Sequence, residues 1–81
     1  MTKLHGELVD GDIVYVQGYR MRVRNVRVAS RQGDKTTMHS EPNRADVIRY
    51  NGDCVDDCDI KRTSYNGGVY GAYADVPIHV D

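Results

Sequence analysis

Residues 19–28, Tyr-Arg-Met-Arg-Val-Arg-Asn-Val-Arg-Val, decide the fold. Over 19–24 they alternate apolar and basic side chains, which is the period of a β-strand with one buried and one solvated face. The alternation slips at Asn25. One extra residue near that position, a β-bulge, returns the later valines to the apolar face. The bulge leaves four arginines on the opposite face: Arg20, Arg22, Arg24 and Arg27.

Segments of strand composition flank this stretch on both sides. The pattern predicts further strands over 12–16, 35–39, 46–50, 60–65, 69–74 and 76–80. Turn signals separate them at Gln17-Gly18, Gln32-Gly33-Asp34, Asn51-Gly52 and Tyr65-Asn66-Gly67-Gly68. Pro77 has no N–H to donate, so the last segment is expected to be an edge strand. A short helix over 41–50, capped by Ser40, is the alternative to the strand over 46–50.

The composition predicts an all-β domain. The chain has 81 residues, with 11 valines against two leucines and with no Phe or Trp. Valine suits a pleated, half-buried surface, whereas helical proteins rely on leucine and alanine. We expect a single domain over 1–81, built as a small antiparallel barrel or strongly bent sheet of five to seven short strands. A core this thin favours burial in a homo-oligomer.

The sequence also limits location and partners. No stretch approaches the ~20 apolar residues that span a bilayer, so no membrane partner is expected. The first residues carry no apolar signal segment, which favours the cytoplasm. The net charge of −1 argues against duplex DNA as a partner, because strong duplex binding usually comes with a strongly basic domain.

The stretch Gly11-Asp12-Ile13-Val14-Tyr15-Val16, followed by Gly18, is similar to the start of SH3-like and KOW-type barrels. The similarity extends over residues 11–28. It implies a small barrel and says little about function, because one fold hosts many functions.

The arginine row is the first candidate site. Guanidinium groups are planar and always charged, and they bind phosphate or carboxylate in a forked geometry. Alternate residues on one strand face lie about 6.5–7 Å apart, a pitch that suits several phosphate oxygens or an acidic protein surface. The alternative is neutralisation by the chain's own carboxylates, since residues 53–59 hold four aspartates.

A glycine- and tyrosine-rich segment is the second candidate. Glycines let a backbone approach a ligand, and tyrosines offer stacking faces. The candidate ligand-binding residues in it are Tyr65, Asn66, Gly67, Gly68, Tyr70 and Tyr73. The alternative is a hairpin whose tyrosines fill a core without phenylalanine. The segment has no P-loop motif.

Metal, cofactor and catalytic functions are not favoured. Cys54 and Cys58 are too few for a structural zinc site, and nothing in the spacing of His39 and His79 requires them to complete one. We expect reduced cysteines and no cofactor. A nuclease built from His39, Glu41 and an arginine is conceivable, but such a trio arises by chance in small β proteins.

The compact β composition and the short hairpins rich in Gly, Tyr and Arg resemble small phage-encoded proteins, some of which antagonise bacterial defence. This resemblance implies either sequestration of a nucleotide signal or inhibition of a host protein. We therefore expect a non-enzymatic protein that binds an anionic, nucleotide-type ligand. The alternatives are an interaction module that docks its basic strand on an acidic host protein, and a small barrel that binds RNA or single-stranded DNA.

Overall fold

The computed structural model describes residues 1–35, 41–55 and 66–81. Within them the chain forms six strands: β1 (Thr2–Leu4), β2 (Ile13–Val16), β3 (Tyr19–Ser30), β4 (Val47–Cys54), β5 (Gly68–Tyr73) and β6 (Pro77–His79). A single 3₁₀ turn over His5–Glu7 is the helical element of this described part. The predicted all-β class is confirmed.

The strands form two antiparallel sheets. Strands β2, β3, β4 and β5 lie side by side in that order in a curled, half-barrel sheet, and β1 pairs with β6 in a second sheet. A bridge between Val14 and Val80 joins the second sheet to the edge of β2. At the far edge, the backbone N–H of Gly6 donates to the carbonyl of Ala74 at 3.0 Å. These links curl the sheet around one small core.

The core is built mainly from valine and tyrosine. Its central cluster comprises Leu8, Val14, Val23, Tyr50 and Val80. Val14 is fully buried and Tyr50 is 2% exposed, so tyrosine takes the place that phenylalanine fills in many cores. Val26 packs partly against the same cluster. Alternate residues of the long strand β3 therefore face inwards, as the pattern predicts.

The predicted β-bulge in β3 is confirmed. Arg24 pairs with Asn51, and the next pair along the ladder is Arg27 with Arg49, so β3 carries one more residue than β4 between them. Asn25 takes a positive φ of 55°, a left-handed conformation that Asn adopts more readily than most residues. The N–H of Val26 donates to Asp10 Oδ1 at 3.0 Å, which satisfies a bulge amide.

The predicted turn at Asn51-Gly52 is wrong, because both residues lie inside β4. The glycine serves packing: a Cβ at Gly52 would lie 2.8 Å from the sulfur of Met21 and 3.3 Å from the Tyr70 ring. A glycine therefore lets these two side chains meet beneath the strand. The helix alternative over 41–50 is also wrong, since the chain forms no helix anywhere in that fully described range.

The other predicted turns fit the structure. Gln17 and Gly18 both have positive φ, 53° and 84°, as the tight β2–β3 hairpin requires. Residues 32–33 form the next turn, and residues 66–67 form the turn that leads into β5. The predicted strand over 60–65 and residues 36–39 of the strand over 35–39 lie outside the described residues. Strand β1 was not predicted, because three residues carry no detectable period.

Candidate functional site

One surface of the curled sheet, called the outer face here, carries the arginine row. The core side chains Met21 and Val23 project from one side of β3, so the alternating arginines project from the other. Cross-strand pairing adds residues of β4 to the same face. The outer face of β3 and β4 comprises Arg20, Arg22, Arg24, Arg27, Arg49, Asn51 and Asp53. The structure thus places all four predicted arginines together and adds Arg49.

Two of the four predicted arginines are paired with the chain's own carboxylates. Arg24 Nε lies 2.8 Å from Asp53 Oδ2, and Arg20 Nη2 lies 3.3 Å from Asp81 Oδ2. Both pairs are about half exposed, so each contributes little to stability. They nevertheless neutralise part of the row, as the alternative interpretation of the arginines expects.

The described arginines that lie outside β3 and β4 are also paired with carboxylates. Arg31 pairs with Asp46, and Arg44 pairs with Asp75. Within the described part of the chain, three arginines make no ion pair, and all three lie on the outer face: Arg22, Arg27 and Arg49. The described arginines that have no ion pair therefore share one surface.

The centre of this charge is the directly opposed pair Arg27 and Arg49. Like charges directly opposite each other on neighbouring strands destabilise a sheet. Arg27 donates to the carbonyl of Asn25 at 2.8 Å and to Asn51 Oδ1 at 3.3 Å, and Arg49 donates to the carbonyl of Ile48 at 3.4 Å. These neutral acceptors orient the guanidinium groups without cancelling their charge. Each group keeps several of its five N–H donors for another acceptor.

Gly71 makes room for Arg49 on this face. It is the partner of Arg49 on β5. A Cβ at Gly71 would lie 1.9 Å from the carbonyl oxygen of Ile48 and 2.8 Å from Arg49 Nη1. Any larger residue would displace the guanidinium or the strand, so this glycine has a defined part in the site. Gly71 is not among the candidate ligand-binding residues predicted from the sequence.

The glycine- and tyrosine-rich segment is divided between the two sides of the sheet. Tyr70 packs on the core side with its ring centroid 6.1 Å from that of Tyr50. Tyr73 lies on the outer face, where Arg44 stacks over its ring at 4.5 Å. The turn residues Asn66, Gly67 and Gly68 lie at the start of β5, and Tyr65 lies outside the described residues. The segment therefore does not form a continuous ligand-binding surface with the arginines.

An aromatic pair that sequence reasoning missed lies at the other end of the outer face. The rings of Tyr15 and His79 have centroids 5.1 Å apart and are tilted by 54°. Tyr15 pairs directly with Arg20 and is 40% exposed. Its hydroxyl donates to Asp81 Oδ1 at 3.4 Å. The signal was absent from the sequence, because the C-terminal strand reaches β2 only through the tertiary fold.

Two titratable side chains, Asp12 and Tyr50, have shifted pKa values, and both belong to the fold and not to the candidate site. Burial would raise the pKa of Asp12, but a hydrogen bond from the Val9 N–H and the ammonium group of Lys3, 3.0 Å away, outweigh it and lower the pKa. Burial, with a smaller contribution from Tyr70, raises the pKa of Tyr50 to about 12. Tyr50 faces the core, and Asp12 precedes β2 and binds Lys3. They stabilise the fold and do not contribute to the candidate site.

Other candidate chemistry finds no support in the described residues. No group of three or more His, Cys, Asp or Glu side chains within them could hold a metal ion. Cys58 and His39 lie outside the described residues, and Glu41 is exposed. His5, in contrast, is buried and its Nδ1 lies 2.6 Å from the carbonyl oxygen of Val76. No helix of the described chain is long and apolar enough to cross a membrane.

Comparison of the chain with protein-family models, with curated proteins and with solved structures finds no match.

Proposed function

We propose that this protein is a non-enzymatic binder of an anionic, phosphate-bearing ligand of the nucleotide class, and that the outer face binds it. The observation that supports this most directly is the opposed pair Arg27 and Arg49, which has no carboxylate partner in the described chain. A bound phosphate would accept from both guanidinium groups and would remove their mutual repulsion. Arg22 lies on the same face and extends the positive surface along β3.

Charge distribution explains how a chain of net charge −1 can hold an anion. Elsewhere in the described chain, arginines are neutralised by aspartates at short distance, as in the pair of Arg31 with Asp46. We therefore expect a positive local field above Arg27 and Arg49, although the net charge of the whole molecule is negative. Sequestration of a nucleotide signal, as in a phage antagonist of bacterial defence, is the biological role that we propose for such a surface.

Calorimetric titration tests the function. The probes are a nucleoside triphosphate, a cyclic dinucleotide and a short single-stranded oligonucleotide, each titrated into the intact protein at low salt. We expect at least one of them to bind, and we expect the Arg27→Gln/Arg49→Gln double variant to lose that binding. Arg31→Gln/Arg44→Gln is the matched control, because it removes the same two charges from ion-paired arginines outside the row. Absence of binding to all three probes, or equal loss in the control, would refute the proposal.

An acidic protein is the second candidate partner. Val69 is 57% exposed and lies on the outer face opposite Asn51, next to the arginines. A protein partner would bury this side chain, whereas a small phosphate ligand would leave it in water. Val69→Ser removes the apolar contact without adding charge, so it should weaken binding to an acidic protein and leave phosphate binding nearly unchanged. The expected homo-oligomer stays a prediction that the mass in solution tests.

A further inference from the structure

The outer face continues beyond the arginines to the exposed aromatic pair. Tyr15 and His79 both remain exposed, and their rings are tilted towards each other by 54° with centroids 5.1 Å apart. Because Tyr15 is the direct partner of Arg20, its ring lies on the same face as the arginine row. An aromatic surface beside a row of guanidinium groups is the combination with which proteins hold the bases and the backbone of a single strand.

Asp81 holds this end of the face in place. One of its carboxylate oxygens accepts from the hydroxyl of Tyr15 at 3.4 Å, and the other lies 3.3 Å from Arg20 Nη2. The polar tip of Tyr15 is therefore engaged within the protein, and its ring is the part left to contact a ligand. Arg20 is likewise occupied by Asp81. The arginines without a carboxylate partner in the described chain begin at Arg22.

The length of the row sets the size of the ligand. From Arg20 to Arg27 the face spans about six strand steps, or about 20 Å at 3.3 Å per residue. A mononucleotide is too short to reach both Tyr15 and the pair of Arg27 and Arg49. A strand of about six stacked nucleotides, at about 3.4 Å each, covers the distance.

We infer that the anionic ligand is a single-stranded oligonucleotide, with a base stacked on the ring of Tyr15 beside His79 and with its phosphates along Arg22, Arg27 and Arg49. This inference rests on the proposed function and specifies its ligand. A duplex is disfavoured, because its bases are stacked on each other inside the helix and cannot reach the aromatic pair.

The first experiment separates bases from phosphates. Fluorescence anisotropy compares a labelled hexathymidylate with an abasic strand of the same length and the same phosphates. We expect the base-bearing strand to bind at least about fivefold more tightly, from the usual contribution of one stacked base. Equal affinity would overturn the inference and leave the proposed anion binding intact. If neither strand binds, the inference is overturned, and the proposed function then depends on the titrations with the nucleoside triphosphate and the cyclic dinucleotide.

The second experiment assigns the stacking to Tyr15. Tyr15→Leu should reduce affinity for the base-bearing strand at least about fivefold more than affinity for the abasic strand. Tyr19→Leu is the matched control: Tyr19 is 41% exposed and belongs to the same hairpin, but it pairs with Val16 and lies on the opposite side of the sheet. An equal loss for both strands, or an equal effect of the two variants, would overturn the assignment.

Salt dependence tests the number of phosphates. Three arginines without carboxylate partners in the described chain predict a slope of log affinity against log salt of about −2, at about −0.7 per phosphate contact for single strands. Arg27→Gln should make the slope less steep by about 0.7. A slope that Arg27→Gln leaves unchanged would show that the phosphates do not follow this row.

Discussion

Charge reversal at Arg49 gives the sharpest test of the outer face, because it should stabilise the protein while abolishing ligand binding. Arg49 lies directly opposite Arg27, and the two groups make no ion pair within the described chain. Residues directly opposite each other in an antiparallel pair lie about 5–6 Å apart, and two unit charges at that separation in water interact by about 0.7 kcal/mol. Arg49→Gln removes a repulsion of that size, and Arg49→Glu adds an attraction of similar size.

The comparison of Glu with Gln isolates the charge, because the two side chains have the same length and both lose the packing of the arginine stem. We expect Arg49→Glu to exceed Arg49→Gln by about 0.7 kcal/mol in free energy of unfolding. For a domain of this size that corresponds to about 3–6 °C in melting temperature. Scanning calorimetry at low salt measures the shift.

High salt provides the control. At about 1 M salt the screening length falls to about 3 Å, so the difference between the Glu and Gln variants should nearly vanish. In titrations, Arg49→Glu should bind none of the phosphate probes. If Arg49→Glu is no more stable than Arg49→Gln at low salt, the two guanidinium groups do not interact as the register indicates, and the reasoning from the opposed pair is refuted.

Three further predictions concern the fold. Gly52→Ala should destabilise the protein by about 1–3 kcal/mol in urea unfolding, because its Cβ would lie 2.8 Å from the sulfur of Met21; an unchanged midpoint would contradict the packing account of that glycine. The pKa of Tyr50 is about 12 in the folded protein and about 10 in the unfolded chain. The free energy of unfolding should therefore fall by about 2–3 kcal/mol as the pH rises from 10 to 12. Tyr50→Phe should lose that pH dependence. If the variant and the native protein lose stability equally at alkaline pH, the role assigned to Tyr50 is wrong. Asp12→Asn should cost about 1–2 kcal/mol at pH 7, and the deficit should shrink as the pH falls through the lowered pKa of Asp12, because the wild-type carboxylate then loses its charge-assisted contact with Lys3.

The sequence predicted what depends on local periodicity. The alternation over 19–28 gave β3, its buried face and the bulge at Asn25, because a period of two and one slip are both visible in ten residues. The same local reasoning failed at Asn51-Gly52. Asn-Gly is a strong turn signal by itself, but Gly52 lies where Met21 and Tyr70 converge from neighbouring strands, and that convergence is not visible in the sequence around it.

The candidate site shows the same limit. The row on β3 was predictable, whereas Arg49 joined it only through the β3–β4 register, which the bulge sets by one residue. The contact of Tyr15 with His79 likewise depends on the C-terminal strand returning to β2. Residues that a fold brings together across many positions of sequence carry no local pattern, so they had to be found in the structure.

The β3–β4 ladder places arginines of the outer face in two different charge environments. The difference between these environments favours a binding role for the row over a purely structural one. Asp53 lies opposite Arg22 and forms an ion pair with Arg24, so at this end of the ladder opposite charges meet as in an ordinary sheet. A few residues along the same two strands, Arg27 lies opposite Arg49. Folding alone would be served better by an acidic residue at position 49. The repulsion left in the unliganded protein is free energy that a bound anion recovers, so the ligand should raise the melting temperature of the native protein and should have little effect on that of Arg49→Glu.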